Sequence, residues 1–408
     1  KDVYNIEVSN MEEKKVVTVD SLEREQIKAY AKSKLSVKWK KDVFSKTVDK
    51  VQKGDIVIAI TKDENGWAKV RTENGEVGYV KSNSLTNFTT VREEQTKEKQ
   101  ITGKVNMFWD YFSQHVQAPD RTGQTIEGVN VVSPSFFYLD ENGTLQENVG
   151  SSGQAYIEWA HSNNYKVWPM IQNADAGIKV TSTILNSYKK RQELIDSIVE
   201  KCVEYGLDGV NIDFENIYEK DKDKLSRFII ELTPRMLELG SVTSVDVTAP
   251  DGGANWSLCY DRNVIGDVAD YLVFMAYDQH GTSSTKPGTT AGYNWVETSL
   301  KKIIDYDQVE TDKIILGLPF YTRIWTVSQD GSIVSRNVVN MIDINKSIPN
   351  NVEKQWNDEL KQYYVEYTSG KQTKKMWIED GTSIAAKVAL VTQYNLGGTS
   401  CWEKDRET

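Results

Sequence analysis

The chain is poor in the residues that cross-link a fold or bind metals: 408 residues contain three Cys and three His. Cys202, Cys259 and Cys401 are too few for a disulfide framework. His115, His161 and His280 lie far apart. None has metal-ligand spacing or sits in a nucleophile motif, so structural or surface roles are expected. Long apolar runs are missing as well. The longest, Tyr271 to Tyr277, is far short of the ~20 residues that a membrane helix needs. Blocks of Lys and Arg are absent and the net charge is -10, which argues against a nucleic-acid partner. The first residues, Lys1-Asp2-Val3, carry no initiating Met, as in a processed product. With 39% hydrophobic and 26% charged residues, the composition is that of a folded globular protein. What is plentiful is aromatic: eleven Trp and twenty Tyr. Flat rings suit apolar cores and also sugar faces.

The charge is unevenly spread. Residues 1–100 carry 20 Lys+Arg against 17 Asp+Glu, whereas the remainder carries 29 against 42. Only Trp39 and Trp67 precede residue 100. The stretch Thr90–Gln100 has one aliphatic residue among many charges, so residues 90–102 read as a solvated linker. Before it, short β-type runs alternate with turns. Asn65-Gly66 and Asn74-Gly75 are strong hairpin signals, because both central positions of a type I′ turn favour positive φ. The pattern Leu35-x-Val37, Val51-x-x-Gly54-Asp55-x-Val57, Gly66-Trp67-x-x-Val70 and Gly78-Tyr79-Val80 resembles the bacterial SH3-like domain, over residues 33–89. Residues 1–32 are unassigned.

From residue 103 onward, eight β-rich runs recur with helical stretches between them. They begin at Lys104, Gly128, Lys166, Gly209, Ser244, Tyr271, Lys313 and Gly397. Thr183–Tyr205 and Asp223–Leu239 carry apolar residues at helical spacing. The expected fold class is therefore α/β, a (β/α)8 TIM barrel over residues 103–408, with functional residues at the C-terminal ends of its strands. The span 326–378 is too long for one loop and predicts a small α+β insertion between strands seven and eight.

The fourth run reads Asp208-Gly-Val-Asn211-Ile-Asp213-Phe-Glu215. Strand side chains alternate faces, so Asn211, Asp213 and Glu215 share one face and Val210, Ile212 and Phe214 the other. In a barrel whose outer face is covered by helices, that polar row climbs the interior toward the rim. Two carboxyls buried so close together cannot both ionise easily. One of them must take up a proton or a partner, and a shared proton would leave one group as a general acid at neutral pH, an arrangement suited to glycosidic cleavage. An Asp-x-Glu triplet alone is weak evidence in so acidic a chain.

This run resembles the signature of glycoside hydrolase family 18, the chitinase-like barrels. Met275-Ala-Tyr277-Asp278, Gly317-Leu-Pro319-Phe-Tyr321-Thr-Arg323 and Trp402 resemble that family's motifs on strands six, seven and eight. With the SH3-like module, the chain looks most like the bacterial cell-wall and spore N-acetylglucosaminidase branch. The resemblance implies a retaining, substrate-assisted glycosidase that cleaves β-1,4 links at N-acetylglucosamine. Glu215 would be the acid and then the base. Asp213 would orient the 2-acetamido group, Tyr277 would hydrogen-bond it, and Trp402 would form the floor of the subsite. Asp278, Arg323, Tyr321 and Gln172 would contact sugar hydroxyls or fix the carboxylates. The resemblance implies no cofactor and no metal. Its implied partners are a polysaccharide containing N-acetylglucosamine and a wall contact through the SH3-like domain, in a secreted or spore-associated setting. The alternative is a catalytically weak carbohydrate-binding or cell-wall-anchored protein that uses the barrel as a lectin. Many chitinases have Asp where this chain has Asn211. The expectation is that Asn211 donates to an ionised Asp213, with Glu215 as its other partner. Trp109, Trp168, Trp256, Trp325 and Trp377 divide between core packing and sugar stacking.

Overall fold

The computed structural model describes residues 21–63, 65–96 and 100–407. Residues 1–20 of the unassigned segment and 97–99 of the expected linker lie outside the described residues. The first sheet is all-β and antiparallel. It comprises β1 (Ser21–Ala31), β2 (Leu35–Lys38), β3 (Thr47–Val51), β4 (Ile56–Ala59), β5 (Trp67–Arg71), β6 (Val77–Lys81) and β7 (Leu85–Thr96). Its order is β3-β2-β6-β5-β4-β1-β7. Alternate residues, among them Ala29, Val37, Val57, Ala68, Val70 and Val80, form its apolar core.

This sheet is larger than the stretch 33–89. Residues 90–96 are not linker but the end of β7, which pairs with β1 from Ser21↔Thr96 to Ala31↔Leu85. Few aliphatic residues are needed there, because the long two-stranded arm is held by backbone hydrogen bonds. The two Asn-Gly turns also differ. Asn65 (φ 57°) and Gly66 (φ 82°) both take positive φ, but at the second turn only Gly75 does (φ 88°). There Gly75 N–H donates to Thr72 O and Thr72 N–H to Glu76 O, a three-residue connection with glycine in the left-handed position.

The second part starts with β8 (Val105–Asp110) and β9 (Val131–Pro134), then the hairpin of β10 (Phe137–Leu139) and β11 (Leu145–Glu147). Helix α1 (Gly150–Ser162) leads to β12 (Lys166–Val167) and β13 (Met170–Gln172). Next come α2 (Gly177–Leu185), α3 (Tyr188–Tyr205), β14 (Gly209–Asp213), α4 (Lys222–Leu237) and β15 (Val242–Val247). They are followed by α5 (Arg262–Val268), β16 (Tyr271–Met275), α6 (Tyr293–Lys301) and β17 (Ile314–Pro319). All eight expected strands are therefore present, once the last, Gly398–Trp402, is counted. The expected helix over Thr183–Tyr205 is two helices. Asn186 and Ser187 interrupt it, and Ser187 Oγ caps α3 by accepting from Lys190 N–H.

The parallel ladders run from β13 through β14, β15, β16 and β17 to Gly398–Trp402, then to β8, β9 and β12. The first and last members are two halves of one stretch, Lys166–Gln172, split at Trp168-Pro169. The sheet therefore curls back to where it started. Two apolar sets result. Val210, Ile212 and Phe214 face outward into a large cluster with the helices, and Phe214 stacks on Phe228 of α4 at 5.5 Å. Met107, Trp109, Trp168, Met170, Val273 and Ile315 form a smaller inner cluster. Trp39 of the first sheet packs against the outer cluster. Lys40 lies 3.9 Å from Glu200 on α3.

The inserted unit starts earlier than residue 326. Its sheet, order β19-β18-β22-β21-β20, comprises β18 (Tyr321–Val327), β19 (Ile333–Asn340), β20 (Gln355–Asn357), β21 (Gln362–Ser369) and β22 (Gln372–Ile378). The short helix α7 (Ile344–Ser347) lies between β19 and β20. Tyr321 and Arg323 thus sit on the first strand of the insertion, just past strand seven of the barrel. After it come α8 (Gly381–Gln393) and β23 (Gly398–Trp402).

A buried polar chain ties the insertion to the barrel. Thr289 Oγ1 donates to Gln362 Oε1 (2.6 Å), and Gln362 Nε2 donates to Glu379 Oε1 (2.6 Å). Lys387 Nζ on α8 pairs with Glu379 Oε2 at 2.6 Å, both side chains being fully buried. Removing one partner of such a pair leaves an uncompensated buried charge. Lys387→Met should therefore lower the unfolding free energy by about 3 kcal/mol at pH 7, read as the urea midpoint. The loss should shrink as the solution is acidified and Glu379 becomes neutral in both states.

Candidate active site

The polar row expected on β14 is present. Asn211 and Asp213 are buried on the inner side and Glu215 is half-buried just past the strand end. Register carries the row sideways onto β15, where Asn211 pairs with Ser244 and Ile212 with Val245. Asp213 and Asp246 continue the same two rows on adjacent strands, which run about 4.8 Å apart. Asp246 is fully buried.

Asp213 and Glu215 stand close enough for one carboxyl to donate to the other. Burial pushes the Glu215 carboxyl well above its ordinary range, and the Asp213 charge raises it further. Asp213 is also raised by burial, but hydrogen bonds from Gln172 and Glu215 oppose the rise. Of the two, Glu215 is the group that holds a proton more readily. Asp213 Oδ2 accepts from Gln172 Nε2 at 3.2 Å, while Asp213 Oδ1 is buried without a partner.

The next residue, Asn173, clamps the backbone of the acid. Its Oδ1 accepts from Glu215 N–H (2.9 Å) and its Nδ2 donates to Glu215 O (3.0 Å). Sequence reasoning singled out Gln172 but missed Asn173. The signal was adjacency: two amides at a strand end, pointing to opposite sides.

Asn211 does not serve Asp213. Its Oδ1 accepts from the indole N–H of Trp109 (2.8 Å), and its Nδ2 donates to Ser244 Oγ (3.1 Å) and Asp246 Oδ1 (2.7 Å). An indole N–H can only donate, so it settles which amide atom faces it. The protons of the amide are then turned toward β15, away from Asp213. Asp246 itself was missed, although Ser244-x-Asp246 repeats on β15 the alternation that exposed the β14 row. Burial first, and then the Asp213 charge, push Asp246 well above its ordinary range.

At the end of β16, Tyr277 is half-buried, edge-on to Trp109 at 6.3 Å and to Tyr321 at 6.4 Å. Asp278 is exposed, and its Oδ1 accepts from Tyr321 Oη (2.7 Å) and Arg323 Nη2 (2.8 Å). The inserted sheet is thus fastened to the rim by one carboxylate oxygen. Trp402 is half-buried, 5.8 Å from Trp109. Tyr111, 47% exposed, also stands 5.7 Å from Trp402, and sequence reasoning did not select it. Of the undecided tryptophans, Trp109, Trp168 and Trp325 are fully buried, whereas Trp256 is 49% exposed. Trp377 is half-buried against Tyr364.

The structure thus brings Asp213, Glu215 and Gln172 into direct contact, and joins Asp278, Tyr321 and Arg323 beside them. The Asp278 charge also acts on Glu215.

The sequence profile of Glycosyl hydrolases family 18 matches residues 77–407. The chain belongs to this family. It is a glycosidase. An uncharacterized glycosylase of Bacillus subtilis, YvbX, is 25% identical over 293 residues, which cover 69% of this chain and 82% of that protein. The cortical fragment-lytic enzyme of Bacillus subtilis is 24% identical over 275 residues, covering 65% of this chain and 62% of that enzyme. This chain therefore spans less than two thirds of the length of that relative. Among solved structures, a chitinase from Chromobacterium violaceum superposes with a TM-score of 0.66 at 21% identity, covering 75% of this chain and 96% of that one. That likeness is one of fold.

Asn211→Asp would place a new carboxyl against Asp246. It should cost about 2–4 kcal/mol of stability at pH 7 by chemical denaturation. The sign with pH follows from its folded pKa being raised above the unfolded value. The penalty should be absent below about pH 4, where the unfolded carboxyl is protonated, and should grow as pH rises.

Proposed function

We propose that the chain is a retaining, substrate-assisted glycosidase that cleaves β-1,4 links at N-acetylglucosamine. The adjacent carboxyls of Asp213 and Glu215 at the end of β14, with burial raising Glu215 well above its ordinary range, support this reading most strongly. Glu215 gives its proton to the glycosidic oxygen as the bond to the anomeric carbon breaks. The oxygen of the sugar's own acetamido group forms the new bond to that carbon, so no enzyme carboxylate attacks. Asp213 faces the positive charge that develops on the resulting oxazolinium ring. Its unpartnered Oδ1 is free to take the acetamido N–H. Tyr277 holds the acetamido oxygen in line, and Trp402 supports the sugar face. Glu215, now a carboxylate, takes a proton from water; the water oxygen bonds to the anomeric carbon and the ring opens with retention.

Peptidoglycan is the proposed substrate. Relatives named as a cortical fragment-lytic enzyme and as a putative sporulation-specific glycosylase favour it. The location proposed is secreted or spore-associated. Among the described residues, no helix is long and apolar enough to cross a membrane. The all-β part over residues 33–89 is proposed as an SH3-like module that contacts the wall. Comparing wall pull-down by the whole chain and by residues 100–408 tests this; equal retention would remove the module from that role.

Glu215→Gln should lower the release of reducing ends from peptidoglycan or chito-oligosaccharides by about 10³-fold, with the fold intact by circular dichroism. Proton NMR of early products should show the β-anomer first. Binding of glycans by the parent without any cleavage would favour the sugar-binding alternative. Product masses separate cleavage after N-acetylglucosamine from cleavage after muramic acid.

A further inference from the structure

Tyr111 has no part in the mechanism above, yet it follows directly on β8, which lies parallel to the strand that ends in Trp402. The two rings stand 5.7 Å apart. Both chain neighbours of Tyr111 are locked. Asp110 is buried, and its Oδ2 accepts from Arg121 Nε (2.9 Å), Arg121 Nη2 (2.8 Å) and Tyr156 Oη (3.0 Å). Arg121 is itself buried and also grips Asp405. Ser135 N–H donates to Asp110 O (3.0 Å). The same serine holds the other neighbour: its Oγ accepts from Phe112 N–H (2.8 Å) and donates to Phe112 O (2.7 Å). The Phe112 ring is buried, edge-on to Phe136. Tyr111 is thus fixed by buried residues before and after it, while its own ring stays 47% exposed. An aromatic ring on so rigid a frame loses little freedom when a ligand lies on it.

We propose that Tyr111 is a second sugar platform, which holds the sugar next to the one on Trp402 and bends the glycan at the bond between the two. The ligand is a β-1,4 chain of N-acetylated sugars, gripped here by a ring face rather than by charge. The two ring planes are inclined at 41°. A straight chain does not lie flat on two platforms so inclined, whereas a chain bent at the linkage does. The apolar faces of sugars pack on aromatic rings as other apolar surfaces do. Bending a linkage costs energy, and a contact away from the reacting carbon supplies it. Binding energy used in that way raises kcat rather than affinity alone. The role rests on Trp402 as the support of the reacting sugar, but it can be measured without any cleavage.

Binding is followed by NMR titration of the whole chain carrying Glu215→Gln, so that nothing is cut. The probes are N-acetylglucosamine and a peptide-free peptidoglycan fragment of four sugars. Adding Tyr111→Ala should weaken the four-sugar fragment about tenfold, the order of one aromatic contact, and spare the single sugar. Tyr111→Phe, which keeps the ring, should bind the fragment as the parent does. With Glu215 restored, Tyr111→Ala should lower kcat more on four sugars than on two. An Ala variant that binds the fragment as tightly as its parent overturns the proposal. So does an equal loss for the single sugar, since the fault would then lie at Trp402, and so does a Phe variant as weak as the Ala one. A tenfold loss in a chain that cuts no glycan with Glu215 in place upholds the platform and defeats the glycosidase reading. A parent that binds neither probe overturns both.

Discussion

Three carboxyls share one inner wall of the barrel, and among the described residues no cation is hydrogen-bonded to any of them. Everything around them accommodates that constraint. In water, neighbouring carboxylates cost little; in the interior their repulsion is weakly screened and their desolvation is large. The chain does not neutralise them with Lys or Arg, which it uses elsewhere, as in the buried Lys387–Glu379 pair. It leaves them short of partners and supplies a proton instead. A neutral carboxyl at ordinary pH is what the general acid proposed for this site has to be, and the lack of a counter-ion favours it.

Holding the carboxyls in place falls to neutral groups. Gln172 and Asn173, at one strand end, hold the Asp213 side chain and the Glu215 backbone respectively. Trp109 orients Asn211, and Asn211 reaches Asp246. Each of these is an amide or an indole, which fixes geometry without adding charge. Aromatic residues do the same at the rim, where Trp109 touches both Tyr277 and Trp402. The aromatic surplus of the composition is therefore partly structural: three of the five undecided tryptophans are fully buried.

The barrel strands were legible because alternation against covering helices is a one-dimensional pattern. Asn211-x-Asp213-x-Glu215 could be read as one face for the same reason. What could not be read was the pairing between strands. Asp246 is 33 residues from Asp213 in sequence, and only register makes them neighbours. The partner of Asn211 was misjudged on that account: along one strand Asp213 is the nearest carboxyl, whereas across the sheet Asp246 is. The expected linker failed over 90–96 for a different reason. Its composition is polar, but a two-stranded arm satisfies its backbone through β1 and needs no apolar face. The early start of the insertion was hidden because Tyr321 and Arg323 continue a β-type run past Pro319 with only Phe320 between.

The junction at Asp278 has a mechanical side. Tyr321 and Arg323 of the inserted sheet both grip one of its oxygens, and the charge of that same carboxylate is felt at Glu215. Coulomb energy depends on distance, so any shift of the inserted sheet at this junction would also move a negative charge relative to Glu215. The position of the inserted sheet and the field at Glu215 are thus two readings of one junction.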